Sequence, residues 1–130
     1  MKSYLICPVR GVDPATSEGF VRELEQSGYQ VHWPPRDTNQ VDAIGLRICR
    51  DNLEAIRNAD VVHVIWNGES QGCLFDLGMT FALGKPVVVL ELPPPSKERS
   101  FQNIVRAWQS ELESGSSPRP GRIQAVLRQL

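Results

Sequence analysis

The sequence predicts an α/β protein of one domain, with a Rossmann-like (flavodoxin-like), mostly parallel sheet of four to five strands and helices on both faces. Its 130 residues suit one domain with a substantial core. Four short apolar runs alternate with segments of helical periodicity, which is the order of elements in parallel α/β folds. Polar loops at 8–13, 34–40 and 67–72 follow three of these runs. Parallel strands bring such loops to one edge of the sheet, where ligands bind.

The first strand is predicted at residues 3–9. Asp13 and Pro14 then predict a helix start, because the aspartate offers an acceptor at the cap and proline suits the first helical position. Gly28 follows the end of this helix, and a second strand is predicted at residues 29–33. Two prolines stop that strand.

Residues 36–40 are predicted to form a polar loop that fits no known motif. Either it is an ordinary solvated loop or it carries chemistry of its own. The helix after it has apolar residues at helical spacing and ends before Asp60. These apolar residues are Ile44, Ile48, Leu53 and Ile56. Asp51 and Asn52 lie within this helix, where they can point towards the ligand edge of the sheet.

The central unit is predicted as strand 60–66, loop 67–72, helix 73–83 and strand 87–90. This is one right-handed βαβ unit. Gly84 can adopt the left-handed conformation that ends a helix, and the Lys85-Pro86 pair prevents its continuation. Asp76 is expected in the first turn of this helix, where an acid also complements the helix dipole.

The last part of the chain is predicted to pack a helix at residues 101–112 against the sheet, after a stiff proline-rich connection at 92–95. We expect the α/β domain at residues 1–113, a linker at 114–121 and a short C-terminal helix at 122–130. That helix either docks on the domain or lies between subunits.

Charge and hydropathy exclude several kinds of partner. The formal net charge is −1 and no basic stripe is present, so nucleic-acid binding is not expected. No apolar run approaches the roughly 20 residues that span a bilayer, and the run at the amino terminus is too short for a signal peptide. We therefore expect a cytoplasmic protein with no membrane partner.

The three cysteines, Cys7, Cys49 and Cys73, are odd in number and lack C-x-x-C spacing, so neither structural disulfides nor a zinc site is expected. No metal or other cofactor is predicted. Cys73, at the predicted helix start, is a candidate reactive thiol. Neither His32 nor His63 is placed as its partner, and both are expected to be packed or hydrogen-bonded within strands.

The loops at the ligand edge carry the side chains of a nucleotide site. Arg10 beside Gly11 suits a phosphate monoester, and Ser70 stands between glycines. Asp76 suits attack on an anomeric carbon, as in retaining glycosidases. Two aromatic residues on strands, Tyr4 and Trp66, offer a hydroxyl and a stacking face. Neither G-x-G-x-x-G nor G-x-x-x-x-G-K-[ST] occurs, so dinucleotide and triphosphate cradles are not predicted.

Three motifs occur in order along the sequence. Residues 4–11 form a strand with an aromatic residue and an Arg-Gly turn, residues 56–62 read I-R-N-A-D-V-V, and residues 72–87 read G-x-x-x-D-L-G-x-x-x-A-x-G-K-P-V. They resemble the nucleoside 2-deoxyribosyltransferase-like superfamily, and most closely its deoxynucleoside 5′-monophosphate N-glycosidase branch. The resemblance covers about the first ninety residues and rests mainly on the central unit.

The resemblance implies roles for individual residues. Asp76 stands where the family has its glutamate nucleophile. Asn52 stands where the family has a second acid that addresses the base, with Asp51 beside it. Asparagine cannot act as a general acid, so either Asp51 takes that role or the role is absent. The Arg10-Gly11 turn and Ser70, which stands where the monophosphate branch has a phosphate-contacting serine, would hold a phosphate together with Gly72.

Three functions remain open on these grounds. The first is cleavage of the N-glycosidic bond of a nucleoside or nucleoside 5′-monophosphate, by hydrolysis or transfer. The second is a non-catalytic nucleotide-binding or sensing module that keeps the pocket. The third is cleavage of NAD with an acid such as Asp37 or Glu69. The resemblance also implies a homodimer or larger homo-oligomer, with the C-terminal helix and Trp108 as the expected contact elements.

Overall fold

Four parallel strands form the sheet of this protein, whose computed structural model describes residues 1–114. The strands are β1 Lys2–Ile6, β2 Gln30–His32, β3 Val61–Ile65 and β4 Val87–Glu91. They lie in the order β2-β1-β3-β4, and Ser3 in β1 pairs with Val31 on one side and Val61 on the other. The predicted Rossmann-like parallel sheet is confirmed, with four strands.

Five helices are found in the described part of the chain. They are α1 Pro14–Gln26, α2 Pro34–Asp37, α3 Leu46–Asn58, α4 Gln71–Ala82 and α5 Phe101–Ser114. Their distribution over both faces of the sheet is as predicted. Because β1 and β3 are parallel neighbours, the loops that leave their carboxyl ends lie side by side at one edge of the sheet.

Alternating residues of the buried strands face two separate cores, because side chains along a strand point to opposite faces. Tyr4 and Ile6 pack in the larger core with residues of α3, α4 and α5. Leu5 faces the smaller core, which α1 covers with Val21. The sequence alone does not decide which face of the sheet Tyr4 points to. The structure places it on the side that α4 covers.

Three of the predicted helix signals have the expected geometry. The carboxylate of Asp13 accepts a hydrogen bond from the backbone N–H of Ala15 at 3.0 Å, with proline at the start of α1. Helix α4 ends at Ala82, and Gly84 follows with a φ of 67°. A residue with a Cβ is strained in that conformation, which explains the glycine.

Two local predictions were wrong. Residues 34–37 form a helical turn rather than a strand stop and loop, because proline suits the first helical position and Asp37 accepts a hydrogen bond from Trp33 N at 2.8 Å. Helix α3 begins at Leu46, and Ile44 outside it is 92% exposed rather than at a core position. The carboxylate of Asp42 accepts hydrogen bonds from the backbone N–H groups of Arg47 and Ile48, so it caps this helix.

The carboxyl-terminal predictions fall largely outside the described residues. This applies to the linker at 114–121 and the helix at 122–130, apart from Ser114, which is the last residue of α5. Trp108 lies in the core, 8% exposed, with the ring of Phe81 packed edge-on against it, so it is not an open contact surface. Across residues 1–114, none of the helices has the length and apolar character needed to cross a membrane.

Candidate functional site

The loop after β3 and the first residues of α4 form one wall of the site. Asn67 shapes this loop, because its side-chain oxygen accepts hydrogen bonds from the backbone N–H groups of Glu69 and Ser70, each at 2.9 Å. Ser70 is the N-cap of α4, and its Oγ accepts a hydrogen bond from Cys73 N at 3.2 Å. Helix α4 therefore begins at Gln71, two residues earlier than predicted. Asp76 is its sixth residue and lies beyond the first turn.

Asp76 and Tyr4 form the central contact of the site. The phenol O–H of Tyr4 donates a hydrogen bond to Oδ2 of Asp76 at 2.8 Å across 72 residues of sequence. Tyr4 is completely buried and Asp76 is partly buried. In the described part of the chain no other side chain or N–H group contacts the carboxylate, so Oδ1 is free to react or to bind. The bond also fixes the direction of the carboxylate.

Burial makes the two groups of this pair hold their protons more tightly. It raises the pKa of Asp76 from 3.8 to about 6, and the hydrogen bond from Tyr4 opposes that rise. The pKa of Tyr4 is also raised, first by burial and then by the negative charge of Asp76. At neutral pH the tyrosine is therefore a permanent donor. The carboxylate is mostly ionised and more basic than an exposed aspartate.

The residues predicted to bind phosphate lie in two adjacent loops. Arg10 and Gly11 are exposed in the loop after β1, and Gly11 has a φ of 70°. Ser70 is in the neighbouring loop after β3, where its Oγ accepts a hydrogen bond from Cys73 N and its hydroxyl also interacts with the Cys73 thiol. Gly72 is exposed in the first turn of α4. A cavity of about 140 Å³ opens between the two loops and is lined by residues of both, among them Pro8, Asp13 and Asn67.

Asp51 and Asn52, adjacent in sequence, have opposite environments on α3. Asp51 is exposed, and its carboxylate forms an ion pair with Arg47 at 2.5 Å. Asn52 is 8% exposed, and its Oδ1 accepts a hydrogen bond from Thr38 Oγ1 at 2.8 Å. Of the two, only Asn52 lies on the side of α3 that packs against the domain. The contacts of Asp51 are on the surface.

Trp66 does not present an open stacking face. Its side chain is 5% exposed, and its indole N–H donates a hydrogen bond to the carbonyl of Ser70 at 3.1 Å. The ring meets Phe101 edge-on, with the ring centres 6.4 Å apart. Trp66 therefore supports the α4 loop from beneath. A residue at the end of a strand can face either a ligand or the core. The sequence position of Trp66 alone did not decide between these two environments.

The cysteines lack the properties of reactive thiols. Cys73 is 2% exposed, and burial raises its pKa to about 12 although Ser70 lowers it. Cys7 has its pKa raised to about 11, again mainly by burial. Cys73 is therefore not a reactive thiolate, because burial outweighs the effect of the helix terminus.

The two histidines are packed and hydrogen-bonded, as predicted. His63 Nδ1 lies 2.6 Å from Ser3 Oγ, and burial lowers the pKa of this histidine to about 4. His32 stacks on Tyr4, with ring centres 5.5 Å apart and planes 11° apart. Among residues 1–114, no group of three or more His, Cys, Asp or Glu side chains is arranged to hold a metal ion.

The polar segment at 36–40, which matched no motif, has mainly structural contacts. The guanidinium of Arg36 bonds to Glu25, to Asp37 and to the carbonyl of Val31 at the outer edge of β2. The pKa of Asp37 is lowered, because the hydrogen bonds from Arg36 and Trp33 N outweigh its burial. The exception is Thr38, which contacts both His32 and Asn52. Sequence reasoning missed His32 and Thr38, since only long-range contacts bring them to the site.

A larger cavity, of about 460 Å³, lies away from Asp76. It is lined by polar residues at the β2 edge, among them Lys2, Glu25 and Arg36. Most of its charged groups are paired with one another, for example Arg36 with Glu25. We place the candidate site at Asp76 because that carboxylate has a fixed direction, a raised pKa and a free oxygen.

Comparisons with known proteins match the part of the chain that contains the candidate site. The sequence model of the family described as Nucleoside 2-deoxyribosyltransferase matches residues 4–102. Among solved structures, the fold is similar to that of a 2-deoxyribosyltransferase from the psychrotolerant bacterium Bacillus psychrosaccharolyticus. The TM-score is 0.63 at 24% identity, over 82% of this chain and 81% of that one. A search of curated proteins found no match. The residues that the family model matches include β2, β3 and β4, the last three residues of β1 and the loops at the carboxyl edge.

Proposed function

The chain belongs to the nucleoside 2-deoxyribosyltransferase family, and on that premise we propose that it cleaves the N-glycosidic bond of a (deoxy)nucleoside or nucleoside 5′-monophosphate, with Asp76 as the nucleophile. The observation that carries the proposal is the Asp76 carboxylate, which Tyr4 holds through one oxygen while the other is free. The carboxylate lies beside the loops at the carboxyl edge of the sheet. Small ligands bind at this edge in this class of fold.

The chemistry follows from that carboxylate. Oδ1 of Asp76 attacks the anomeric carbon, and the base leaves with the electron pair of the C–N bond and takes a proton from solvent. The resulting ester between sugar and Asp76 is then opened by water, which gives hydrolysis, or by a second base, which gives transfer. Tyr4 keeps its proton throughout and steadies Oδ2, because its own pKa is raised.

The substrate-binding residues are proposed on the same edge. Arg10, the adjacent Gly11 and Ser70 would bind a 5′-phosphate, with backbone N–H groups of the first turn of α4 at Gly72. This arrangement supports the monophosphate branch. Asn52 is better supported than Asp51 as the residue that addresses the base, since Asp51 is engaged with Arg47 at the surface.

The experiment compares the wild-type protein with Asp76→Asn, and uses Asp51→Asn as the matched control. Each is incubated with nucleosides, nucleoside 5′-monophosphates and NAD, with and without an added acceptor base, and free base is measured by chromatography. We expect release by wild type and by the control, and a loss of at least about a thousandfold in Asp76→Asn, because a neutral amide is not a nucleophile. Release that survives Asp76→Asn would contradict the proposal.

A non-catalytic nucleotide-binding module is the second candidate. It is favoured by Asn52, which cannot give a proton to the leaving base. In this case nucleotides bind to the wild-type protein without release of base. NAD cleavage is less well supported, because Asp37 is engaged with Arg36 and Trp33. Release of nicotinamide in the NAD arm would favour it.

Self-association is proposed through an apolar groove between α4 and α5. The groove has a volume of about 230 Å³, and among its lining residues Phe81, Phe101 and Ile104 are 59%, 53% and 44% exposed. A contiguous apolar surface of this kind is typical of contact sites. Light scattering should give the mass of a dimer or larger assembly, and Ile104→Glu should lower it. A monomer at all concentrations would refute the proposed assembly.

A further inference from the structure

A chain of contacts leads from Asp76 to α3. Tyr4, which donates to Asp76, stacks on the ring of His32. Nε2 of His32 lies 2.8 Å from Oγ1 of Thr38, and that hydroxyl lies 2.8 Å from Oδ1 of Asn52. The nucleophile and the amide of Asn52 are thus connected through a small set of packed side chains. Four separate parts of the sequence contribute to it, at residue 4, residues 32–38, residue 52 and residue 76.

The proton positions in this chain follow from the chemistry of the threonine. A hydroxyl has one proton to donate, and Thr38 gives it to Oδ1 of Asn52. Oγ1 can then only accept from His32, which must carry its proton on Nε2. Burial lowers the pKa of His32, with the Asp37 carboxylate opposing it, so the ring is neutral at physiological pH. The neutral tautomer with Nε2–H is the one that completes the chain.

The amide nitrogen of Asn52 is left without a partner. Within residues 1–114 no group accepts a hydrogen bond from Nδ2, and this nitrogen is not among the fully buried atoms that lack a partner. Although Asn52 as a whole is only 8% exposed, its amide nitrogen therefore reaches solvent. Because Oδ1 is held by Thr38, the amide presents its two N–H donors, and not its oxygen, to whatever binds beside it.

We propose that His32 and Thr38 are positioning residues that hold the Asn52 amide with its nitrogen towards the ligand, so that the site selects a base with a hydrogen-bond acceptor at that edge. The proposal rests on the proposed function, since it assumes that a nucleoside base occupies the space beside Asn52. A ring nitrogen or a carbonyl oxygen of the base meets the requirement. An amino group at that edge does not.

The test measures ligand discrimination rather than affinity alone. Every protein carries Asp76→Asn, so that no ligand is consumed, and dissociation constants are measured by calorimetry. The ligands are matched pairs of deoxynucleosides and their 5′-monophosphates. Purine and 7-deazapurine forms differ in one ring acceptor. Hypoxanthine and adenine, or uracil and cytosine, differ by a carbonyl oxygen against an amino group.

We expect the parent protein to prefer the acceptor-bearing member of at least one pair by about tenfold or more, which is the usual cost of leaving a buried donor unpaired. Thr38→Val, which removes the hydroxyl but keeps the shape, should reduce that ratio to about threefold or less. Thr38→Ser keeps the hydroxyl and should therefore keep the preference ratio of the parent protein. His32→Phe, which keeps a ring against Tyr4 but has no donor, should behave like Thr38→Val. Asn52→Asp should reverse the preference.

Three outcomes would overturn the inference. If Thr38→Val and His32→Phe weaken both members of every pair equally, the two residues have only a structural role. If the parent protein shows no preference in any pair, Asn52 does not read the base. If no nucleoside or monophosphate binds at all, the proposed function fails and the inference fails with it. That result differs from the other two, in which ligands still bind.

Discussion

Replacement of Asp76 by asparagine should make the protein more stable, by an amount that grows as the pH rises from about 4 to about 6. Burial raises the pKa of Asp76 from 3.8 to about 6 in spite of the hydrogen bond from Tyr4. The folded state therefore binds the carboxyl proton more tightly than the unfolded state does. Between about pH 4 and pH 6 the folded protein holds more protons, so the contribution of Asp76 to the free energy of unfolding falls as the pH rises. Above pH 6 this loss is complete.

The size of the effect follows from the two pKa values. A factor of ten in proton affinity corresponds to about 1.4 kcal/mol, so the change from 3.8 to about 6 lowers the free energy of unfolding by about 3 kcal/mol at neutral pH. Asp76→Asn removes this penalty and keeps an oxygen that can accept from Tyr4. For a domain of this size 1 kcal/mol is worth about 3 to 4 °C in melting temperature. The variant should melt about 10 °C above wild type at pH 7.5.

Thermal unfolding of both proteins should be followed by calorimetry and circular dichroism from pH 3.5 to pH 8. The difference in melting temperature is expected to be near zero below pH 4 and to grow through pH 6. Asp51→Asn, which removes an exposed carboxylate, controls for the loss of one negative charge from the surface. A difference between Asp76→Asn and wild type that is the same at every pH would refute the reasoning, and so would a less stable variant above pH 7.

Other contacts of the structure give further expectations. Tyr4→Phe removes the hydrogen bond that favours the ionised form of Asp76, so the acidic limb of the pH–rate profile for base release should move above pH 6, with a larger loss of rate at pH 6 than at pH 8. In thiol labelling followed by mass spectrometry, Cys73 should stay unmodified in the folded protein at pH 8 while the less buried Cys49 reacts, and denaturant should abolish the difference. Lys85→Met should lower the free energy of unfolding by about 1 to 3 kcal/mol in urea titrations, because the ammonium donates to two carbonyls at the carboxyl end of α3, each at 2.8 Å.

The elements that the sequence predicted well are those with local signals. The central strand–helix–strand unit combines an apolar strand, a helix stop at Gly84 and a second apolar strand, all within one short segment. The cap at Asp13 needs only the next two residues. Each of these features depends on neighbouring residues and on backbone conformation, so a single sequence is sufficient to identify it.

Features that depend on distant contacts were predicted less well. Tyr4 and Asp76 were both predicted site residues, but the hydrogen bond between them spans 72 residues and depends on the face of the sheet that α4 covers. Trp66, one residue beyond β3, turned out to face the core. Thr38 could not be recognised because its two partners, His32 and Asn52, come from different elements. The sequence around it contains no local signal for that role.

On the proposed assignment Asp76 takes the place of the family's nucleophilic glutamate, and this has two opposing consequences. The shorter side chain reaches less far from α4, so the sugar must approach the helix more closely, and near-attack geometry tolerates little misplacement. The same position partly buries the carboxylate, which raises its pKa to about 6. A base of that strength is about nine-tenths ionised at pH 7 and is a stronger nucleophile than an exposed aspartate. A site that keeps an ionised carboxylate at a cost of about 3 kcal/mol in stability is therefore best explained by chemistry or binding at that carboxylate.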